Sequence, residues 1–600
     1  MWKTRMKYIV LLCVLVGIVS GCSNKAEKKG QENSKEVSAT EDAISTEQPV
    51  VEESTEVPVS MGATEVPEEK TNTAEWIYDA QNHRLTIRGT GESHDRELIE
   101  PEDCGDCKYH LDSIPYLEGI DSWKKQEKIQ KSIKEVVVEQ GITVLNMAAF
   151  ADLPNLEKVT IPDSVEKIDD YVFYKCKSLK EITIPDSVTS IGKECFGECD
   201  SLEKISFGKK VKAIGDGSFL KCQSLRQVVV APENELFATS SGSLYQKKKK
   251  VLYFYYGRSN KAVIEKGIKR IGTFAFADHN ELQEVHIPAS VTVIGGGAFY
   301  QCKNLRKVTF AKKSKCKKIE SYNSKRETYG SFSYCSKLVK MDFPKYLRSI
   351  GVCGLMSCVS LKNVRFPEEF RFIGSHCLYD CTSLKKVYFG KSFEGYLYYK
   401  QDVSDEYKAE DARLNHWFVN DTRSLKEIKV SKKNPFFSTE NGVMYDKKKE
   451  VLYVYPEGKT DIKFKIPKSV RKIRAWAFDQ CNHLRTIEIF GQKTEIQSTV
   501  FWKNSNLKSV KIYGEGTKLE EESFYQCKKL KSIAVYGEKS WIVSRAFKRC
   551  KNIKSVTISG KKTEIEPKAF GQSKDFTIYG KEDSEAQKFA KKYKKKFVVI

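Results

Sequence analysis

A repeat of 23 residues constrains this chain more than any other feature. Val165-x-x-Ile168 leads to Phe173-x-x-Cys176-x-x-Leu179-x-x-Ile182-x-Ile184-Pro185. Val188-x-x-Ile191-Gly192 leads in the same spacing to Phe196, Cys199, Leu202, Ile205 and Phe207, and Val211-x-x-Ile214-Gly215 to Phe219, Cys222, Leu225, Val228 and Val230. The Phe slot runs through Phe150, Phe173, Phe196, Phe219, Phe276, Phe299, Phe332, Leu355, Leu378, a degenerate coil near Val419, Phe478, Phe501, Phe524, Phe547 and Phe570. Most steps are 23, and the longer ones contain insertions. Such a period marks stacked units, each too small to bury its own apolar side. The spacing predicts a β-rich solenoid of about fifteen coils, about 70 Å long at one strand spacing per coil.

Within one coil, Leu179-x-x-Ile182-x-Ile184 alternates as a half-buried strand does. Pro185 ends that strand because it has no N–H to donate. Val188 and Ile191 face the same core from a second short extended segment, and the Phe fills the middle. Ten of the eighteen cysteines stand three residues after the Phe slot: Cys176, Cys199, Cys222, Cys302, Cys335, Cys358, Cys381, Cys481, Cys527 and Cys550. Stacking in register sets their Cα–Cβ vectors parallel, which disfavours disulfides. The same slot holds His279, Asn504 and Ser573. It therefore reads as a buried ladder that satisfies backbone groups in a turn.

The Ile-Gly-x-x-x-Phe-x-x-Cys-x-x-Leu coil resembles the BspA-type leucine-rich repeat of bacterial surface proteins, a family also found in some protists. The resemblance spans roughly residues 136–580. It implies a leucine-rich-repeat solenoid ectodomain used in adhesion and ligand contact, with no catalysis and no cofactor.

Residues 1–22 read as a targeting segment. Lys3, Arg5 and Lys7 precede the apolar run Tyr8 to Val19, and Val19-Ser20-Gly21-Cys22 follows. This resembles a bacterial lipoprotein signal, which implies diacylation of Cys22 and a membrane tether without a span. Residues 23–73 are rich in Glu, Ser, Thr and Val-Pro, with five lysines against twelve acids, and read as a disordered acidic linker. The whole chain carries +23, so the head from residue 74 onward is strongly basic. One reading is many solvated lysines on a long surface; the other is attraction to polyanions.

Residues 74–135 resemble the module that precedes such repeats, with a hairpin from Trp76–Asp79 and Leu85–Gly91 as an N-terminal β cap. Cys104-Gly105-Asp106-Cys107 reads as a local disulfide or plain loop ahead of a redox site, and a zinc site lacks a second ligand pair. In residues 581–600, Ala586, Phe589, Ala590 and Tyr593 have helical spacing before the short strand Phe597–Ile600, which makes a helix-strand C-terminal cap. Lys591 to Lys596 reads as a solvated helix face, and nucleic acid is not an expected partner.

Two insertions, near 231–258 and 431–458, are copies offset by 200 residues, with lysine-rich turns between alternating strands as in hairpins. Their Tyr253, Tyr255, Tyr453 and Tyr455 either pack on the solenoid or serve as ligand contacts. A third, irregular insertion at 391–415 carries Tyr396, Tyr398, Tyr399 and Tyr407, with Trp417 just beyond. Irregular inserts on a rigid scaffold are where contacts concentrate.

No His-Glu-x-x-His, Gly-x-Ser-x-Gly or clustered metal-ligand spacing occurs. Gly390-Lys391-Ser392 and Gly458-Lys459-Thr460 mimic the end of a phosphate loop, but Lys385 and Tyr453 stand where its first glycine belongs. The reading is therefore a non-enzymatic, lipid-anchored adhesin at the bacterial cell surface, recognising host or environmental proteins or glycans. The alternative is an envelope scaffold lipoprotein that grips anionic wall polymers.

Overall fold

The computed structural model describes residues 72–93, 123–248, 250–323, 328–396 and 418–600. Cys22, Cys104, Cys107, nearly all of the 23–73 stretch and most of the third insertion lie outside these residues. Glu69–Ile600 form one compact unit. It is a β-solenoid of about 19 turns, with repeats about 23 residues apart and little helix. The Phe slots alone mark about fifteen, because coils at the caps and insertions add turns that carry no Phe in that place.

Each coil has three walls. The first stacks four-residue strands in parallel, as Glu181–Ile184, Lys204–Phe207 and Gln227–Val230 do. Inward Ile182 and Ile184 are buried while Glu181 and Thr183 are exposed. The second stacks two-residue strands, such as Lys167–Ile168, Ser190–Ile191 and Ala213–Ile214. The third is a run of turns around the Phe slot. The residues two before and two after the Phe adopt left-handed φ, as at Tyr171 (63°) and Lys175 (64°). Such conformations cost non-glycine residues about 1–3 kcal/mol each, so the stack must hold them.

The holding bonds run one way. Tyr171, Phe173 and Lys175 donate their N–H to the carbonyls of Lys193, Cys195 and Gly197 in the next coil, whose Glu194, Phe196 and Glu198 donate onward to Asp216, Ser218 and Leu220. The amides between them close turns within the coil, as Tyr174 N–H does on Tyr171. Every alternate amide on this wall therefore faces the following coil.

The core is a column of rings. Phe173 lies 5.5 Å from Phe150 and from Phe196, and Phe299 lies 4.9 Å from Phe276 and from Phe332. Beside it the Cys slot does what its residue choice implies. Cys176, Cys199 and Cys302 donate S–H to the carbonyls of Phe150, Phe173 and Phe276 at 3.1, 3.1 and 2.9 Å. Asn504 does the same to Phe478 through its amide at 2.6 Å. No disulfide joins the fourteen described cysteines, all of them buried. Burial pushes the Cys381 thiol up to about 12, which makes it a poor nucleophile.

The ends and inserts follow from local signals. Glu75–Asp79 and Arg84–Arg88 pair antiparallel, and the latter strand pairs in parallel with Glu135–Val138 to start the long-strand wall. At the other end Ser584 caps the helix Glu585–Lys592, burying Ala586 and Ala590, and Lys596–Val599 adds a last strand to Thr577–Gly580. The two copied insertions are three-stranded meanders, Phe237–Ser240, Ser243–Gln246 and Val251–Tyr255 in the first. Ser241 (φ 50°) with Gly242 (73°), and Asn441 (49°) with Gly442 (80°), make their two-residue turns, whose double left-handed backbone suits hairpin twist.

Candidate interaction surfaces

Three of the four insertion tyrosines are inside: Tyr255, Tyr453 and Tyr455 are 3%, 8% and 2% exposed, while Tyr253 is half-buried and packs against Phe237 at 5.5 Å. Tyr255 stacks on Phe276 and Tyr455 on Phe478, each at 4.9 Å. Tyr255 and Tyr455 thus occupy the Phe slots of the insertion coils and turn into the core, whereas Tyr253 borders the joint beside its coil. The third insertion is shorter than 391–415, because Phe393 is fully buried against Phe389 at 4.0 Å and Gly395–Tyr396 pairs with Phe372–Ile373. Tyr396 thus takes the register position of Ile373. Tyr398, Tyr399, Tyr407 and Trp417 lie outside the described residues, as does the Tyr396 side chain.

Sequence reasoning missed the strongest exposed aromatic feature. On the outer edge of the long-strand wall, Phe490, Tyr513 and Tyr536 stack at 4.7 and 5.1 Å, with Tyr513 39% and Tyr536 41% exposed. They stand where earlier coils carry Pro185 and Pro288. Glycine follows each, and at Gly514 a Cβ would lie 1.7 Å from the Gly491 carbonyl oxygen, so the chain closes backbone on backbone there. At the opposite end of the same strands, four residues before the aromatic positions, runs a row of small hydroxyls, Ser509, Ser532 and Ser555, in register. Elsewhere this wall carries charge, as in Lys204–Glu181 and Lys386–Glu427 at 3.6 and 3.0 Å. Exposed pairs of that kind add little stability. The available signal was an aromatic-Gly pair recurring at 23 residues.

A second ladder lies on the turn wall. Trp476, Trp502 and Tyr525 stack at 4.7 and 4.1 Å, with Lys503 5.4 Å from the Trp502 centroid and the Arg549 guanidinium 5.4 Å from that of Tyr525.

Each copied insertion leaves a joint. From the short to the long wall, a regular coil uses thirteen residues, as between Ile271 and Glu284, but the first insertion coil uses nine, Leu252 to Lys261, and the second eleven, Leu452 to Lys463. The missing residues come out of the turn wall. In the first joint a cavity of about 110 Å³ remains, lined by 214–220, 270 and 272–274 with Val251, Tyr253 and Phe254. In the second only about 20 Å³ is left, because Pro456 and Glu457 enter it. Thr422 N–H donates to the Glu457 carboxylate, yet burial, with Asp421 and Asp479 nearby, raises Glu457 to about 8. Burial and Asp421 likewise raise Asp479 to about 7.

Among the described residues no three His, Cys, Asp or Glu side chains converge as metal ligands. No described helix is long and apolar enough to cross a membrane.

The sequence profile described as the BspA type leucine rich repeat region matches residues 128–244, 250–327, 328–400 and 458–577. Among solved structures, a leucine-rich cell surface protein of Faecalibacterium prausnitzii is 22% identical over 58% of this chain and 96% of its own, with a TM-score of 0.41. A leucine-rich repeat protein of Eubacterium ventriosum is 21% identical over 62% and 98%, with a TM-score of 0.42. The pneumococcal vaccine antigen PcpA is 16% identical over 88% and 100%, with a TM-score of 0.30. No curated protein matches the chain.

Proposed function

The chain belongs to the BspA-type leucine-rich repeat family, and from that premise we propose that it is a cell-surface solenoid that binds a partner protein, tethered through a lipid on Cys22. Its family is typically a non-enzymatic binding fold. The observation that carries the reading is the Phe490–Tyr513–Tyr536 column. An outward aromatic row suits contact with another protein, whose interfaces are enriched in such side chains. Because the rings stack on one another, their edges and hydroxyls face outward, which favours a protein over a sugar face as the ligand. Tyr396, Tyr398, Tyr399, Tyr407 and Trp417 extend the proposed contact region.

The test is an array of matrix proteins and glycans probed with the full chain and with a Tyr513→Ala, Tyr536→Ala double variant. Saturable binding to one protein, weakened at least tenfold in the double variant and persisting in about 0.5 M salt, supports the reading. The basic head favours a second reading, an envelope scaffold on anionic wall polymers. That reading requires binding that collapses at the same salt, since charge attraction is screened. Turnover of any arrayed glycan or peptide overturns both.

A further inference from the structure

The first joint is a missing rung. Gly217 and Phe219 stand where Glu194 and Phe196 stand one coil earlier, and those two donate their N–H to the next coil. The next coil's turn wall is absent here, and neither Gly217 N–H nor Phe219 N–H reaches a backbone acceptor among the described residues. Across the gap, the Thr273 carbonyl has the position of Asp216 O, which accepts from Glu194, but it receives no backbone donor. Asp216 repeats Asp170, whose carboxylate accepts the Lys193 N–H of the following coil at 2.6 Å. All four groups line the one cavity of about 110 Å³. Buried or half-buried main-chain groups left in this state are costly unless water or a ligand meets them.

We propose that this slot binds a short extended peptide segment of a partner protein, whose main chain replaces the missing rung. Its carbonyls accept from Gly217 and Phe219, and its amides donate to the Asp216 carboxylate and the Thr273 carbonyl. The second joint shows the space filled from within: two more residues in the coil let Pro456 and Glu457 occupy it, and the Glu457 carboxylate accepts the N–H of Thr422, which stands at the position of Cys222. The first joint has Gly257 where Glu457 aligns, so it cannot fill itself that way. A simple anion is disfavoured by Asp216, and Arg270 is engaged with Glu320 at 2.7 Å. The proposal rests on the protein-binding reading and goes beyond it by naming the site and the mode of recognition, a variant of strand addition.

The experiment pans phage-displayed random heptapeptides on the full chain. Recovered sequences are then synthesised with both ends blocked and with a photo-crosslinking residue. Cross-links are expected on 214–220 and 270–274. N-methylation of one central peptide residue should weaken binding at least tenfold, since it removes a main-chain donor while leaving every side chain. Asp216→Ala should weaken binding to a similar degree with unchanged thermal melting. Cross-links elsewhere, or tolerance of N-methylation, overturn the slot while leaving the protein-binding function standing. Recovery of no peptide above background also overturns it.

Discussion

His279 holds a Cys slot as a buried neutral imidazole, its Nδ1 3.2 Å from the Ala277 carbonyl oxygen, and burial lowers its pKa to about 4. The unfolded chain protonates near 6.5, so between about 6.5 and 4 the unfolded state binds more protons and stability falls as pH falls. Asn504 fills the same slot without titrating. His279→Asn should therefore give a shallower loss of thermal midpoint from pH 6.5 to 4, read by differential scanning fluorimetry. His376, also lowered to about 4 by burial, keeps the remaining slope. Cys302→Ala tests the slot itself, for it removes the donor to the Phe276 carbonyl and adds no atom to the packed core. A loss of about 0.5–1.5 kcal/mol in urea unfolding is expected, and Cys302→Asn should lose less. The Phe and Cys slots were legible because each repeats one side chain at one spacing. Tyr255 was not: Ile271 to Phe276 spans five residues, but Leu252 to Tyr255 only three. The shortened coil moves the core ring out of phase with the pattern.

Among elements, the copied insertions were readable as hairpins, since Asn441-Gly442 and the lysine-rich turns are local signals. Their third strand was not readable as part of the solenoid, because Val251–Leu252 joins Arg270–Ile271 only through a parallel ladder that leaves no local trace. The aromatic column on the outer wall was missed for a related reason: Tyr513 and Tyr536 gain meaning only when coils are laid side by side. At the second joint, Glu457 binds a proton in the folded state up to about pH 8, whereas the unfolded chain releases it near 4.5. Its burial therefore costs stability increasingly as pH rises from about 4.5 toward 8. Glu457→Gln keeps an oxygen for the Thr422 N–H and cannot ionise. Its melting temperature should exceed that of the wild type at pH 8 and match it near pH 4.5. An equal offset at both values would show that the carboxylate is already ionised in the folded protein.

Across the whole solenoid, the joints divide what the repeat makes uniform. The short-strand wall runs as three separate ladders, ending at Ala213–Ile214, resuming at Val251–Tyr255, and resuming again at Val451–Val454. The three large clusters of buried side chains part at the same two insertions, and one small cluster, Leu220 with Phe274, Ala277 and Tyr300, bridges the first joint. In stacked repeats stability is close to a sum of coil and interface contributions, so a weak interface should separate cooperative blocks. Phe299→Ala probes this directly. The ring is fully buried in the middle block, and its loss should cost about 3–5 kcal/mol. Hydrogen exchange by mass spectrometry should then show faster exchange from about residue 262 to 430, with Leu85–Val230 and Ile466–Ile578 unchanged. Uniform acceleration along the chain would mean that Phe254 and Tyr255, packed on Phe219 and Phe276 at 5.1 and 4.9 Å, couple the blocks into one despite the broken ladder. The two outcomes differ because side-chain contact and hydrogen-bonded wall are separate means of transmitting order, and the first joint is crossed by side-chain contacts while the short-strand ladder is broken there.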